Sequence, residues 1–331
     1  MLPDRGERLR CVTAGERGRD GPSAGPRGAP DRAPTSVLAC EPTVSSSTSN
    51  APPGLIALGE TPSLRRYVRD VWERRQFAWA MATGELRAQH MDTALGNVWH
   101  LLNPILLIAV YYLVFGVVLG VDRGVENFIA FLAIGVLSYQ WAQRSIISGA
   151  SSISSNEGLI RSLQFPRALL PLGVTIKETL AFLPGVVLML LVVVMTGEGI
   201  RPSWVLVLPA FAIQVVFNLG AGMLLARAAD RFRDTVNLLP FFFRLVFYGS
   251  GVIYAVDTRF LDIFQAHPWA VQVFVFNPFY AQLSLWRESL MTSQDIQFIE
   301  RMWITAPAWA VAIFLLGLIV FRGGEKEYGR G

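Results

Sequence analysis

The sequence predicts an all-α membrane protein: six transmembrane helices, an N-terminal amphipathic interfacial helix before them, and short re-entrant helices ahead of the last span. Two observations carry this. Of 331 residues, 52% are hydrophobic and only 16% charged, against ~25% charged in an average soluble domain, and mean hydropathy is +0.41. From residue 98 onward, long apolar stretches alternate with short polar ones. That balance argues against a soluble enzyme. The formal net charge is +4, but in a membrane protein basic residues report topology, so no nucleic-acid partner follows from it.

Residues 1–60 are rich in Pro, Gly, Ser, Ala and Arg and contain no sustained apolar run. Such a segment cannot bury a core. It lacks the apolar stretch of a secretory signal, and Asp4, Glu7, Glu16 and Asp20 are out of place in a transit peptide. It reads as a disordered extension, or as translated sequence upstream of the true start. Both cysteines, Cys11 and Cys40, fall in it. The remainder therefore has no thiols for an internal disulfide or a metal site.

Residues 61–97 form a cytoplasmic amphipathic region. Leu64, Tyr67, Val68, Val71, Trp72, Phe77, Trp79 and Met81 recur at near-helical spacing among six arginines, the pattern of a helix lying on a membrane surface. Thr61 or Ser63 is positioned to cap it, and Gly84 is the expected break before a second short helix. It is either a juxtamembrane helix held by lipid charge or a docking and gating element.

The transmembrane domain, residues 98–322, is expected to hold spans at Val98–Gly120, Phe128–Ala150, Leu169–Met195, Trp204–Ala226, Asn237–Val256 and Thr305–Phe321. The first, at ~1.5 Å per residue, covers about 35 Å and crosses a bilayer. Helices are required because the backbone in lipid has no water to bond. The loops on the side of the first span's N-terminus carry fourteen Arg and Lys against five opposite, which places both termini, including the short tail 323–331, in the cytoplasm. Between the second and third spans, Ser154 and Glu157 have capping-box spacing. A short helix is expected there, stopping near Pro166. Leu159, Ile160 and Phe165 give it an apolar side and Glu157 and Arg161 a charged one. It is a capped connector or an element that transmits a push. Between Asp257 and Arg301, Pro268 and Pro278 suggest two short re-entrant helices. Gly116 and Gly120 form G-x-x-x-G, a candidate site of close helix contact.

Four charges fall inside spans: Arg144, Lys177, Glu178 and Arg244. Counting from the span ends puts all of them ~9 to 14 Å from the cytoplasmic boundary. Each costs roughly 2.5 to 3.5 kcal/mol in lipid, so they should face protein or water. Either they form an ion-pair network around Glu178 or the three cations await an anion. Tyr112, Phe243 and Tyr248 are candidate aromatics for the lining of a channel, the alternative being interfacial belts. The three histidines are too scattered to hold a metal.

The order of stretches Leu95-Gly-Asn-Val-Trp-His-Leu-Leu-Asn-Pro104, Asn156-Glu-Gly-Leu-Ile-Arg161, Phe165-Pro-Arg-Ala-Leu-Leu-Pro171 and Asn277-Pro-Phe-Tyr280 resembles the membrane subunit of polysaccharide-exporting ABC-2 transporters. Within that family the chain is most similar to exporters of O-antigen, teichoic acid and mycobacterial galactan. The resemblance implies a homodimer in the plasma membrane, each subunit docked on a separate ABC ATPase that binds ATP and Mg, moving a polyprenyl-diphosphate-linked polysaccharide outward. It implies that Asn156, Glu157, Leu159, Ile160, Arg161 and Phe165 belong to the helix that couples to the ATPase, and that the helix Ser63–Ala80 is a gate helix. The diphosphate headgroup it implies would supply the anion for Arg144, Lys177 and Arg244, and the re-entrant pair would close the outer mouth. Independently of it, no G-x-x-x-x-G-K-[ST] loop occurs, so no ATPase site or other cofactor is expected in this chain. The rival readings are an ABC-2 drug or lipid exporter, a proton-driven exporter, and a membrane glycosyltransferase. The last would want clustered acidic residues, whereas Asp230 and Asp234 alternate with Arg231 and Arg233.

Overall fold

A computed structural model describes residues 63–88, 98–120, 125–256, 267–292, 296, 298–325 and 328. The expected tail 1–60 and the stretch around Leu95 lie outside these. The described residues contain helices and no strand. In chain order they are α1 (Leu64–Glu73), α2 (Arg75–Ala88), α3 (Val98–Tyr111, continuing as a π-turn Tyr112–Val118), α4 (Phe128–Ala150), α5 (Glu157–Ser162), α6 (Leu169–Met195), α7 (Val207–Arg231), α8 (Thr235–Gly249), α9 (Pro268–Val275), α10 (Pro278–Leu290) and α11 (Ile299–Gly323).

Among the described residues, three helical stretches are long and apolar enough to cross a membrane: Leu169–Met195, Pro202–Arg231 and Ile299–Gly323. Leu102–Val118 and Thr235–Gly249 are apolar but shorter. Helix α4 is different in kind. It packs against α3, α6, α7, α8 and α10, and most of its residues, from Phe128 through Trp141 to Ala150, are buried. A helix shielded by protein need not match the apolarity of lipid, which is why Ser138, Gln140 and Ser145 are tolerated there. The most extensive helix contact is α7 against α11. A Cβ placed on Gly220 would collide with the backbone at Phe314, and one on Gly317 with the backbone of Gly220, so these two helices meet backbone to backbone.

Several local expectations are corrected. The amphipathic segment breaks at Arg74, not at Gly84, and α2 runs through that glycine. A glycine in a helix costs about 1 kcal/mol relative to alanine. Burial of Ala78 and Ala82 on α6 offsets it, while the break at Arg74 turns α1 so that Tyr67 buries separately. The fifth expected span ends at Gly249 instead of Val256. Its 15 residues reach ~22 Å, short of the ~30 Å hydrocarbon core. Gly251, at φ +63°, turns the chain left-handed just after it. Gly116 lies against the ring of Phe128, but Gly120 is past the helical segment at φ +55°, so the pair forms no two-glycine helix seam within the chain. Pro268 and Pro278 each start a short helix, α9 and α10, as proline's missing donor permits at a first turn. Nearly all of α10 from Tyr280 to Leu290 is core.

Candidate functional site

The connector between α4 and α6 is a short 3-10 turn, Ser154–Asn156, followed by α5. The expected capping box does not form. Ser154 donates its hydroxyl to the Ser151 carbonyl at 3.0 Å, Asn156 takes the cap position without a side-chain cap bond, and its amide donates to the Ser152 carbonyl at 2.9 Å. The helix stops at Ser162, four residues before Pro166. Ile160 faces inward, Leu159 and Phe165 are half-buried beside it, and Arg161, Ser162, Leu163 and Gln164 are exposed. Glu157 and Arg161 pair at 3.5 Å with both side chains about half exposed, a contact worth well under 1 kcal/mol.

This connector is fastened on two sides. Toward the N-terminal helices, Phe165 packs tilted against Phe77 with ring centroids 5.2 Å apart, and Arg74 donates to the Gln164 carbonyl at 2.9 Å. The Ala168 N–H donates to the Tyr67 hydroxyl at 3.3 Å. Toward the C-terminus, the Arg167 N–H donates to the Glu325 carboxylate at 2.9 Å, and the Arg167 guanidinium donates to the Glu325 backbone carbonyl. Tyr328 donates to the Phe321 carbonyl at 2.8 Å and lies beneath the guanidinium groups of Arg227 and Arg167. Burial pushes Glu325 above the usual carboxylate range despite these donors. Tyr67 is raised as well, first by burial and then by the charge of Glu325. Tyr67 was read from the sequence only as one apolar position of the amphipathic segment, and Glu325 and Tyr328 were not singled out; a hydroxyl or a carboxylate in polar surroundings carries no pattern of its own.

The intramembrane charges divide into a group and an outlier. Lys177, buried on α6, has its Nζ 3.5 Å from Glu178 and 3.3 Å from Glu85. Glu178 also accepts from Ser148 at 3.1 Å. Arg144 donates to Gln140 at 3.2 Å, and Arg144, Gln140 and Glu178 line a small cavity of about 40 Å³ with Trp141, Phe182 and Pro104. Arg244 is elsewhere. It is exposed on α8 and lines no part of that cavity. Glu85 is the residue sequence reasoning missed: counted with the surface helix, it makes this group two cations and two anions.

The candidate lining aromatics are not equivalent. Phe243 is 1% exposed, set edge-on to Tyr139 and Phe279. Tyr112 and Tyr248 are 38% and 49% exposed. With Tyr248, residues Leu238, Phe241, Phe242 and Leu245 give α8 a continuous exposed apolar face that also carries Arg244.

At the other end of the bundle, Glu198 joins three connections. It accepts from the Thr292 N–H at 2.9 Å, the Thr292 hydroxyl at 2.7 Å and the Asn127 amide at 3.3 Å. Arg287, counted among loop charges on sequence grounds, is 2% exposed within α10. It donates to the carbonyls of Gly251 at 2.9 Å and Val252 at 2.8 Å and lies 3.4 Å over the Phe131 ring. A planar cation with several donors suits the place where the backbone after α8 leaves helix and exposes carbonyls.

No protein-family model matches the chain. It is 28% identical over 240 residues to the O-antigen export system permease protein RfbA of Klebsiella pneumoniae, covering 72% of this chain and 88% of that relative. It is 31% identical over 195 residues to the O-antigen export system permease protein RfbA of Myxococcus xanthus, covering 58% of this chain and 74% of that protein.

Proposed function

The chain belongs to the ABC-2 type polysaccharide-export permeases, and from that premise we propose that two copies, docked on separate ATPase subunits, form the conduit for a polyprenyl-diphosphate-linked glycan leaving the cell. The chain is a multi-pass membrane protein and a transport component, not itself an ATPase or an enzyme. The finer reading assigns six spans across the plasma membrane, both termini in the cytoplasm, and a galactan-like or O-antigen-like cargo. ATP and Mg belong to the partner subunit.

The observation that carries this reading is the fastening of the α5 connector. Its outer side, Arg161 to Gln164, is exposed, the surface proposed to meet a soluble motor. Its inner side is bonded to α1, α2 and the tail after α11 through Arg74, Tyr67 and Glu325. A displacement applied at Arg161 therefore reaches the gate helix and the last span together. Arg144 and Lys177 sit about two helix turns inward from that joint and are the proposed headgroup ligands, joined across the lumen by Arg244. Tyr112 and Tyr248, with Phe243 behind them, are the proposed surface along which the sugar slides. The exposed face of α8 is the proposed place where a second copy and the glycan path meet.

Reconstitution tests it. Proteoliposomes holding the chain with its co-encoded ATPase are expected to export lipid-linked glycan on ATP addition, and those holding the chain alone to do nothing. Transport or modification of a sugar polymer by the chain alone overturns the reading. Arg144→Gln and Arg244→Gln are each expected to lower export about tenfold, as loss of a charge-assisted bond to phosphate would. Normal export in both removes the headgroup assignment.

A further inference from the structure

We propose that Glu85 is a positioning residue that occupies the place of the incoming anion, so that a phosphate-type headgroup must displace it from Lys177 and in doing so frees α2 from α6. This rests on the headgroup reading above and adds the mechanism by which that site is opened.

The two carboxylates on Lys177 are unlike one another. Glu178 is on the same helix as the lysine, its side chain is 13% exposed, and Ser148 holds it from α4. It is a fixed counter-charge. Glu85 comes from the last turns of α2, its side chain is 37% exposed, and among the described residues it pairs with Lys177. Of the two, Glu85 is the more exposed and reaches the lysine from another helix, so it leaves when α2 moves.

Charge makes its departure necessary. Arg144 and Lys177 are balanced by Glu178 and Glu85, so an anion approaching this group meets no net positive charge. Withdrawing Glu85 leaves one net positive charge. It also exposes an ammonium already stripped of most of its water, where a phosphate oxygen gains most from pairing. The swap keeps Lys177 compensated throughout, which avoids the cost of a lone buried cation.

Packing makes the departure possible. Helix α2 is seated on α6 through small residues, with the Ala78 carbonyl close over Gly173. Beside this seat, a cleft of about 420 Å³ opens between Trp72, Arg75 and Trp79 on one side and Leu172 and Ile176 on the other. The opening beside the seat gives α2 room to swing, at the cost of the contacts that bury Ala78 and Ala82. The same cleft is apolar, so the chain attached to a headgroup has somewhere to lie while the headgroup reaches Lys177.

The test uses the permease–ATPase complex in nanodiscs without nucleotide, with farnesyl diphosphate as the probe and farnesol as the control. Binding affinity and hydrogen exchange of residues 75–88 are read together. Wild type is expected to bind the diphosphate and to show faster exchange in α2 on binding. Glu85→Gln is expected to bind about fivefold tighter, the scale of a half-exposed ion pair, with α2 exchange already raised before the probe is added. Should that variant not be purified, Glu85→Asp, one methylene shorter, is expected to fall between. Lys177→Gln is expected to lose about tenfold in affinity and the α2 response with it. A structural role alone predicts the reverse for Glu85→Gln: lower thermal stability and unchanged or weaker binding. That result, or α2 exchange indifferent to the probe in wild type, overturns the swap while leaving the headgroup site standing. Equal binding of farnesol and farnesyl diphosphate, or a Lys177→Gln variant that binds normally, overturns the headgroup reading itself.

Discussion

Two glycine contacts in this molecule look alike on paper and behave as opposites. At the α7–α11 seam, Gly220 and Gly317 bring two backbones into direct contact, with Met223, Ala226, Leu318 and Phe321 closing over the end of the seam nearer Arg231. At the α2–α6 seam, Gly173 receives the Ala78 carbonyl, but an open cleft lies to one side and an ion pair with a part-exposed carboxylate to the other. Close approach of helices is thus not by itself a sign of rigidity. What surrounds the contact decides whether it is a permanent joint or a seat that can be left.

The largest expected effect tests the permanent joint. Gly220→Val forces a branched side chain into backbone already in contact, for which no rotamer change can compensate. Overpacking of that kind costs about 3 kcal/mol or more. The expected outcome is loss of monodisperse protein in detergent, or a large drop in melting temperature by tryptophan fluorescence. Gly317→Val should match it. If either variant is as stable as wild type, the two helices can separate and the contrast between the seams collapses.

Next in size is Arg287. Arg287→Met keeps the volume but abandons the Gly251 and Val252 carbonyls, each costing roughly 1 to 3 kcal/mol when left unpaired and buried. A loss of about 2 to 3 kcal/mol in chemical unfolding is expected, with Arg287→Lys recovering only part because an ammonium does not match the two carbonyls and the Phe131 face at once. This change should leave exchange in α2 untouched, since α10 packs chiefly against α4, α7 and α11. A rise in α2 exchange would mean that the two ends of the bundle are mechanically continuous.

Gly173→Ala is the counterpart at the seat. Its Cβ would lie 3.3 Å from the Ala78 carbonyl and 3.5 Å from the Met81 sulfur, a crowding that a movable helix relieves. A cost below about 1 kcal/mol is expected, alongside faster exchange across residues 75–88. A loss as large as that of Gly220→Val would show α2 to be clamped.

How much of this was legible beforehand follows from range. The long helices could be read because residues facing lipid must be apolar one by one, and α9 and α10 could be read from the prolines that open them. Helix α8 ran past its true end because the apolar run continues through Val252 and Ile253, although Gly249-Ser-Gly251 held a stop signal that hydropathy outvoted. The partners of Lys177, Arg287 and Arg167 were beyond reach. Each meets a group from a distant part of the chain, and a charge in a sequence says only that it needs a partner, not which one. The span charges were expected at one depth, because helical depth is additive along the chain, and Lys177 lies beside Glu178 while Arg144 shares a cavity with Glu178. Arg244 fell outside that group because depth does not fix azimuth around the bundle.

The smallest expected effect concerns the tail that ties α1 to the last helix. Glu325 is raised by burial, so the folded chain holds its proton more tightly than the unfolded chain. The stability this contributes is complete below the ordinary carboxylate range, is lost as pH rises from there through the raised value, and is constant above it. In thermal unfolding between pH 4 and pH 8, wild type minus Glu325→Gln should show a small decline with rising pH, confined to that window, because the amide keeps an acceptor for the Arg167 N–H without a charge to desolvate. At neutral pH the variant should equal or slightly exceed wild type. The opposite slope, with stability lost as pH falls, would mean that Arg167 and Arg322 outweigh burial and that the carboxylate is held as an ion pair. The tail would then be an electrostatic latch of the same type as Glu85 on Lys177, and the joint behind α5 would belong with the seat that can be left.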